Sequence, residues 1–174
     1  MSPLQKLAAL VGPARFLRLM RIYPPYLGAG VRVTRAEPDL SRVDVEMRLT
    51  RWNRNFVGTH FGGSLYSMCD PFFMIMLMTR LGPGYVVWDK SASIEFVRPG
   101  RGTVSATFEL PDARVEEIRR EVERGGKVFP RFEVAVLDHD GEPIARVEKV
   151  LYVRRDAAAL PTRAAASARP APRS

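Results

Sequence analysis

The residues best suited to chemistry lie close together in residues 55–70, a polar segment that is rich in glycine and ends in an aspartate. A carboxylate such as Asp70 can act as a general base or as a nucleophile toward a carbonyl carbon. A helix that opens at Gly62 and Gly63 presents amides without partners inside the helix, and glycine lets a carbonyl group approach them closely. The segment therefore combines the two groups that attack on a carbonyl requires, a carboxylate and donors for an oxyanion.

Each of these residues also has a structural interpretation. Asp70 precedes Pro71, and this pair is typical of an N-cap and first helical turn, so Asp70 could only cap the helix that follows. Asn55 could be a turn residue, and the paired glycines could serve packing alone. Pro71 inside one continuous helix would remove a backbone hydrogen bond at a cost of about 3 kcal/mol. On either interpretation the helix is broken beside Asp70, which favours a site there.

Length and charge limit the function classes. The 174 residues suit one domain of ordinary size. The net charge of +8 lies in the two ends, because residues 28–153 carry equal numbers of basic and acidic side chains. A basic face of the kind that binds nucleic acid is therefore not predicted. The basic ends are left open as solvated segments or as contacts to an anionic membrane surface.

Cysteine and histidine are scarce. Cys69 is the single cysteine, and His60 and His139 are the only histidines, so an intrachain disulfide is excluded and the common zinc and iron sites are not expected. The N-terminal segment is broken at Gly12 and Pro13 and lacks a small-residue cleavage site, which makes it a poor signal peptide. The longest apolar run, residues 71–78, is too short to span a bilayer. We therefore expect a cytoplasmic protein without metal or cofactor.

Periodicity predicts an α+β fold in which a curled antiparallel sheet of about six strands wraps one central helix. We assign residues 1–27 to an N-terminal amphipathic helical segment that ends at Pro24 and Pro25, residues 28–153 to the folded domain, and residues 154–174 to a disordered Ala/Pro/Arg tail. The central helix is apolar on most sides and is expected to be buried. The predicted strands cover residues 31–35, 43–49, 85–97, 103–110, 127–137 and 143–153, with the central helix over 64–81 and an outer charged helix over 111–124.

Residues 55–70 resemble the signature of the hot-dog thioesterases of the phenylacetate-pathway type. Asn55, Gly58 with Thr59, Gly62 with Gly63, and Asp70 fall in register with that signature without a gap. Residues 92–100 are similar to the strand that follows it in the family. In its residue sequence, the segment most resembles a poorly characterised branch of hot-dog proteins. This branch is known as a domain of unknown function of the DUF4442 type or as tetrameric acyl-CoA thioesterases. The resemblance spans roughly residues 28–153 and implies a hot-dog fold.

The resemblance also implies an activity, the hydrolysis of acyl-CoA or acyl-carrier thioesters, with coenzyme A as part of the substrate. Asp70 would be the base or nucleophile, and the Gly62 amide, with Gly63, would polarise the carbonyl. Asn55 would come from a second subunit and hold the water or the carboxylate, so a homo-oligomer (a dimer or a dimer of dimers) is implied. Asp89 is a candidate helper for positioning water, with an ion pair to Lys90 as its structural alternative.

The candidate substrate-binding residues are Phe61, His60, Phe73, Arg98 and Arg101. The histidine of the family signature is replaced by Phe61 here, and His60 stands one position earlier. Phe73 belongs to an apolar helix that could line an acyl tunnel, and the two arginines could meet the phosphates of coenzyme A or lie in a solvated turn.

Two other functions are kept open. The loss of the family histidine supports a non-catalytic hot-dog protein that binds acyl-CoA or lipid. A 3-hydroxyacyl thioester dehydratase would pair a histidine with the acid, and His60 would have to supply it.

Overall fold

The computed structural model describes Leu7 and residues 10–156. Its single sheet is antiparallel and has seven strands: β1 (Val31–Ala36), β2 (Arg42–Arg48), β3 (Tyr85–Phe96), β4 (Thr103–Glu109), β5 (Lys127–Val128), β6 (Arg131–Leu137) and β7 (Pro143–Arg155). Their order across the sheet is β1-β2-β4-β6-β7-β3, and the two-residue β5 pairs with β7. β3 therefore forms one edge of the sheet, at which its outer backbone groups have no neighbouring strand among the described residues.

Two strands differ from the sequence prediction by more than one residue. The strand predicted over residues 127–137 is divided into β5 and β6 at Phe129 and Pro130, because proline lacks the amide that a strand ladder needs. β7 continues through Arg154 and Arg155, which pair with β3 and lie beyond the end predicted for the domain. The remainder of the predicted tail, residues 157–174, lies outside the described residues.

The helices are α1 (Pro13–Leu19), α2 (Pro24–Ala29), α3 (Gly62–Ser67), α4 (Phe72–Leu81) and α5 (Asp112–Gly125), with a 3-10 turn at Met20–Ile22. The stripe of Val115, Ile118 and Val122 is buried, so α5 lies on the outside with one apolar face inward, as its sequence predicts. Within residues 10–156, no helix combines the length and the apolar character that crossing a bilayer requires.

The core forms around α4. Phe72, Phe73, Met76 and Leu77 of this helix are at most 3% exposed, and each such buried side chain stabilises the fold by about 1.5–3 kcal/mol. The Phe73 ring stacks on Phe132 of β6 with a centroid separation of 4.8 Å. A sheet curled around one apolar helix is the hot-dog fold, which confirms the fold class inferred from the sequence.

The N-terminal segment shares this core. Leu17 of α1 is fully buried, and the ring of Tyr26 lies 6.2 Å from that of Phe72, centroid to centroid. Pro24 and Pro25 end the first helical stretch, but they also begin α2, because proline is preorganised for the first helical turn. The segment predicted as residues 1–27 thus continues as helix to Ala29 and packs beside the central helix.

A candidate active site at Asp70

Asp70 lies in a short break between two helices. α3 ends at Ser67 and α4 begins at Phe72, with Pro71 in the N-cap position. No side chain donates or accepts a capping hydrogen bond at the start of α4, so the structural interpretation of Asp70 as a helix cap is wrong. The Asp70 side chain is 48% exposed and is therefore accessible to a substrate.

The carboxylate of Asp70 is held by one of its two oxygens. Oδ1 accepts a hydrogen bond from the Tyr66 hydroxyl at 2.8 Å and another from Lys149 Nζ at 2.9 Å. No hydrogen bond to Oδ2 is found among the described residues. The carboxylate thus has a fixed orientation, while its second oxygen remains available to react.

Lys149 bridges two carboxylates. Its side chain is fully buried, and Nζ donates to the Asp70 carbonyl oxygen at 2.7 Å, to Asp70 Oδ1, and to Asp89 Oδ1 at 2.8 Å. Burial by itself lowers the pKa of Lys149, but the hydrogen bonds and charges of Asp89 and Asp70 outweigh it and raise the pKa above its usual value. Lys149 therefore stays cationic across the physiological pH range.

β3 contains a bulge directly after Asp89. Asp89 pairs with Leu151 and Ser91 pairs with Val150, so Lys90 is an extra residue in β3. Lys90 does not pair with Asp89 but lies with its Nζ 4.2 Å from the centroid of the Phe129 ring. The alternative of an Asp89–Lys90 ion pair is therefore wrong, and the two predicted carboxylates meet at Lys149.

Sequence reasoning missed Lys149 and Tyr66. Lys149 shares the two-residue period of Val147, Leu151 and Val153, all of which are at most 1% exposed. A lysine in phase with a buried apolar face is a signal for a buried charge that needs a partner. Tyr66 stands four residues before Asp70, a spacing at which helical side chains meet.

Asp70 lies in the wall of an apolar groove with a volume of about 1010 Å³. The groove runs between the N-terminal helical segment and α4, with a rim from β3. Its walls include Phe16, Met20 and Tyr23 on one side, Met74, Ile75 and Met78 on the other, and Trp88 of β3. Among the described residues that line it, Asp70 is the one that carries a charge. The arrangement sets a carboxylate against an apolar cavity.

The paired glycines open α3 but do not line this groove. A Cβ added to Gly62 would lie 2.8 Å from the Phe96 ring, and one added to Gly63 would lie 2.4 Å from the Phe61 ring. Side chains at both positions are thus excluded by aromatic packing. Phe61 itself is 56% exposed and does not line the groove.

Asn55 and His60 are engaged elsewhere in the chain. Asn55 Oδ1 accepts hydrogen bonds from the amides of Val57 and Thr59, which closes the loop before α3. His60 is buried, with Nε2 3.1 Å from the Gly102 carbonyl oxygen and Nδ1 without a partner among the described residues. Burial lowers the pKa of His60. Neither residue lines the Asp70 groove, so one chain does not pair a histidine with the acid.

The remaining predicted residues also lie apart from Asp70. Arg98 donates to Asp138 Oδ2 at 2.8 Å and to the Pro143 carbonyl oxygen, which secures the β6–β7 turn. Arg101 is exposed in the turn after β3. Phe73 packs in the core described above. Within one chain, the structure brings Asp70 and Asp89 together at Lys149, and Asp70 is the predicted site residue that lines the groove.

Metal and thiol chemistry have little support among the described residues. Asp138, His139 and Asp140 place ligand atoms within 4.8 Å of one another, but they form an exposed turn in which Asp138 already pairs with Arg98. Cys69 is buried beside Asp70, and burial raises the pKa of its thiol to about 12. The thiol is therefore protonated and acts as a small core side chain, as its sequence context predicts.

Solved structures with the same fold include several described as thioesterases. A probable thioesterase of unknown function from Pseudomonas aeruginosa is 20% identical with a TM-score of 0.72 and covers 80% of this chain and 93% of its own. A protein of unknown function from Chlorobaculum tepidum is 15% identical with a TM-score of 0.65, covering 82% and 94%. A thioesterase from Haemophilus influenzae is 12% identical with a TM-score of 0.61, covering 82% and 90%. At these identities the similarity establishes the fold.

The sequence itself matches one family. No curated protein is similar enough in sequence to count as a match. The model of a domain of unknown function, DUF4442, matches residues 12–153, which include α1, the whole glycine-bearing segment, Asp70 and Lys149. The chain therefore belongs to the DUF4442 family, a group with the thioesterase-like hot-dog fold.

Proposed function

We propose that this protein hydrolyses acyl thioesters, such as acyl-CoA, with Asp70 as the catalytic carboxylate. The observation that carries the proposal is the Asp70 carboxylate itself, half-exposed in the wall of an apolar groove and held through Oδ1 by Tyr66 and Lys149. The thioesterase descriptions of structures with the same fold support the same reaction class. Coenzyme A or an acyl carrier enters as part of the substrate, and no cofactor is needed.

Two routes use the same geometry. In the first, Asp70 Oδ2 takes a proton from water as the water oxygen attacks the carbonyl carbon; the C–S bond then breaks, and the proton passes to the departing thiolate. In the second, Asp70 attacks directly, the thiolate leaves and is protonated by solvent, and water hydrolyses the mixed anhydride. Both routes give a carboxylic acid and a free thiol. In both, the hydrogen bonds to Oδ1 hold the carboxylate in place and leave Oδ2 as the reactive oxygen.

A second copy of the chain is proposed to complete the site. Gly62 and Asn55 do not line the groove of their own chain, whereas the resemblance to hot-dog thioesterases implies a site built across two subunits. β3 is an edge strand, and its Trp88 and Phe96 are 64% and 57% exposed, which is typical of an edge that pairs with another chain. We therefore propose a dimer, or a dimer of dimers, in which the partner supplies the Gly62 amide and Asn55.

Replacing Asp70 by asparagine tests the proposal. Asp70→Asn keeps the shape and the Oδ1 acceptor but removes the base and nucleophile, so we expect thiol release to fall by about 10²–10⁴-fold. The thermal midpoint should change little, because Lys149 keeps Asp89 as a partner. Thiol release from a panel of short, long and aromatic acyl-CoAs is the measurement.

Asp140→Asn is the matched control, because Asp140 is exposed in the β6–β7 turn. It should retain wild-type activity. Full activity in Asp70→Asn would remove Asp70 from the mechanism. Tight binding of acyl-CoA by the wild type without turnover would instead establish the non-catalytic alternative.

A further inference from the structure

We infer that the groove between the N-terminal segment and α4 holds the apolar chain of the substrate, and that this chain is a straight acyl group of medium or greater length. The inference rests on the proposed function, since it assigns where the chain lies relative to Asp70. It goes further because it names the substrate class and the residues that set the length of the acyl chain.

The lining of the groove matches a molecule with one reactive end. Tyr66 lies in α3 and Asp70 in the break before α4, and the walls beyond them are formed mainly by apolar side chains. Because Asp70 is the one charged lining residue, an occupant that is neutral along its length and carries its polar group at Asp70 fits this distribution. An acyl thioester has this form, with the carbonyl at one end of a hydrocarbon chain.

Tyr26 supplies a second, independent observation at the same end. It lines the groove and is 3% exposed, yet its hydroxyl has no hydrogen-bond partner among the described residues. Burial, and after it the charge of Asp70, raise the pKa of this phenol, so it stays protonated as a donor. A buried donor without a partner is unfavourable, and a substrate carbonyl oxygen beside Asp70 would satisfy it.

The minimum length of the acyl chain follows from α4, the helix that forms one wall of the groove. Met74 and Met78 stand four and eight residues after Asp70, which places them about 6 and 12 Å along the helix direction. A carbon–carbon bond advances a chain by at most about 1.5 Å, so a chain that reaches Met78 needs at least about eight bonds. The volume of about 1010 Å³ is also ample for such a chain.

A series of S-alkyl coenzyme A thioethers, from ethyl to hexadecyl, tests the inference by calorimetry. These probes cannot be hydrolysed, so they report binding alone. We expect affinity to rise by about two- to fourfold per methylene until the chain has at least about eight carbons. An affinity that does not change with chain length in the wild type would overturn the inference, and this measurement needs no variant to fold.

Tryptophan substitutions locate the chain within the groove. Met78→Trp should end the rise in affinity at a shorter chain than in the wild type, and Met74→Trp should end it earlier still. Leu27→Trp is the matched control: Leu27 lies on α2, is 60% exposed and does not line the groove, so the series should match the wild type. Thermal melting confirms that each variant is folded.

Two further outcomes have distinct meanings. If both methionine variants bind like Leu27→Trp but change the sedimentation coefficient, a second copy covers the groove and the inference is wrong. If chain-length-dependent binding is present but no thioester is hydrolysed, the chain site stands and the proposed enzymatic activity fails.

Discussion

Replacing Lys149 by methionine tests whether the site depends on one buried ammonium. Methionine is flexible and apolar, so it can fill the same space while removing the charge and all three donors. The ammonium lies 2.9 Å from Asp70 Oδ1 and 2.8 Å from Asp89 Oδ1, and the Lys149 side chain is fully buried. Its loss leaves two neighbouring carboxylates without a shared cation.

The effect on stability follows from the exposure of the three groups. Removing one partner of a fully buried ion pair costs about 3–5 kcal/mol. Asp70 and Asp89 keep 48% and 33% of their side-chain exposure, so water compensates in part, and we expect a loss of about 1–3 kcal/mol near neutral pH.

The effect on catalysis comes from Asp70 alone. Oδ1 loses one charge-assisted hydrogen bond, worth about 1.5–3 kcal/mol, and keeps the one from Tyr66. If that hydrogen bond directs Oδ2 in the transition state, kcat should fall by roughly 10- to 150-fold. Urea unfolding near neutral pH measures the effect on stability, and thiol-release kinetics measure the effect on catalysis.

Lys90→Met is the control for this experiment. Lys90 neighbours Asp89 in β3 but contacts the Phe129 ring instead of the carboxylates. If Lys149→Met proves as stable and as active as Lys90→Met, the cluster is not a functional unit and our reasoning about Asp70 is refuted.

Three further predictions concern single contacts. Tyr66→Phe removes the 2.8 Å hydrogen bond to Asp70, so kcat should fall about tenfold with KM unchanged, and an unaltered kcat would show that Tyr66 does not position the carboxylate. Burial lowers the pKa of His60 in the folded state, so the folded protein binds this proton less readily than the unfolded chain does. The contribution of His60 to the free energy of unfolding is therefore complete above the unfolded pKa of about 6.5 and is lost as the pH falls below it. Urea unfolding should show this loss, at most about 1.4 kcal/mol per pH unit, in the wild type and not in His60→Gln; equal slopes would contradict it. Phe96→Asp places a charge on the exposed edge strand β3, so sedimentation should show monomers and thiol release should be lost, whereas a monomeric wild type would refute the proposed pairing.

Much of the fold could be predicted because its determinants are local. The two-residue alternation of the strands, the apolar stripe of α5 and the all-round apolar character of α4 are each contained in one short stretch of sequence. The break beside Asp70 was foreseen from Pro71 for the same reason, since proline acts on its own turn of helix. Three boundaries differ from the prediction: those at Pro24 and Pro130, where proline can end one element or begin another, and the end of β7, which continues through Arg155.

The sequence by itself predicted a curled sheet around one apolar helix from its hydrophobic periods, and it pointed to the hot-dog fold and to Asp70 through the resemblance of residues 55–70 to the hot-dog thioesterase signature. Both are properties of contiguous residues. Only the tertiary structure decided what Asp70 touches. Lys149 is 79 residues away along the chain, and β7 and the bulged β3 must pair before its ammonium can reach both carboxylates. The groove likewise exists only once the N-terminal helices pack beside α4, since neither wall encloses a volume alone. Contacts between distant residues depend on the packing of whole elements, which no local pattern records.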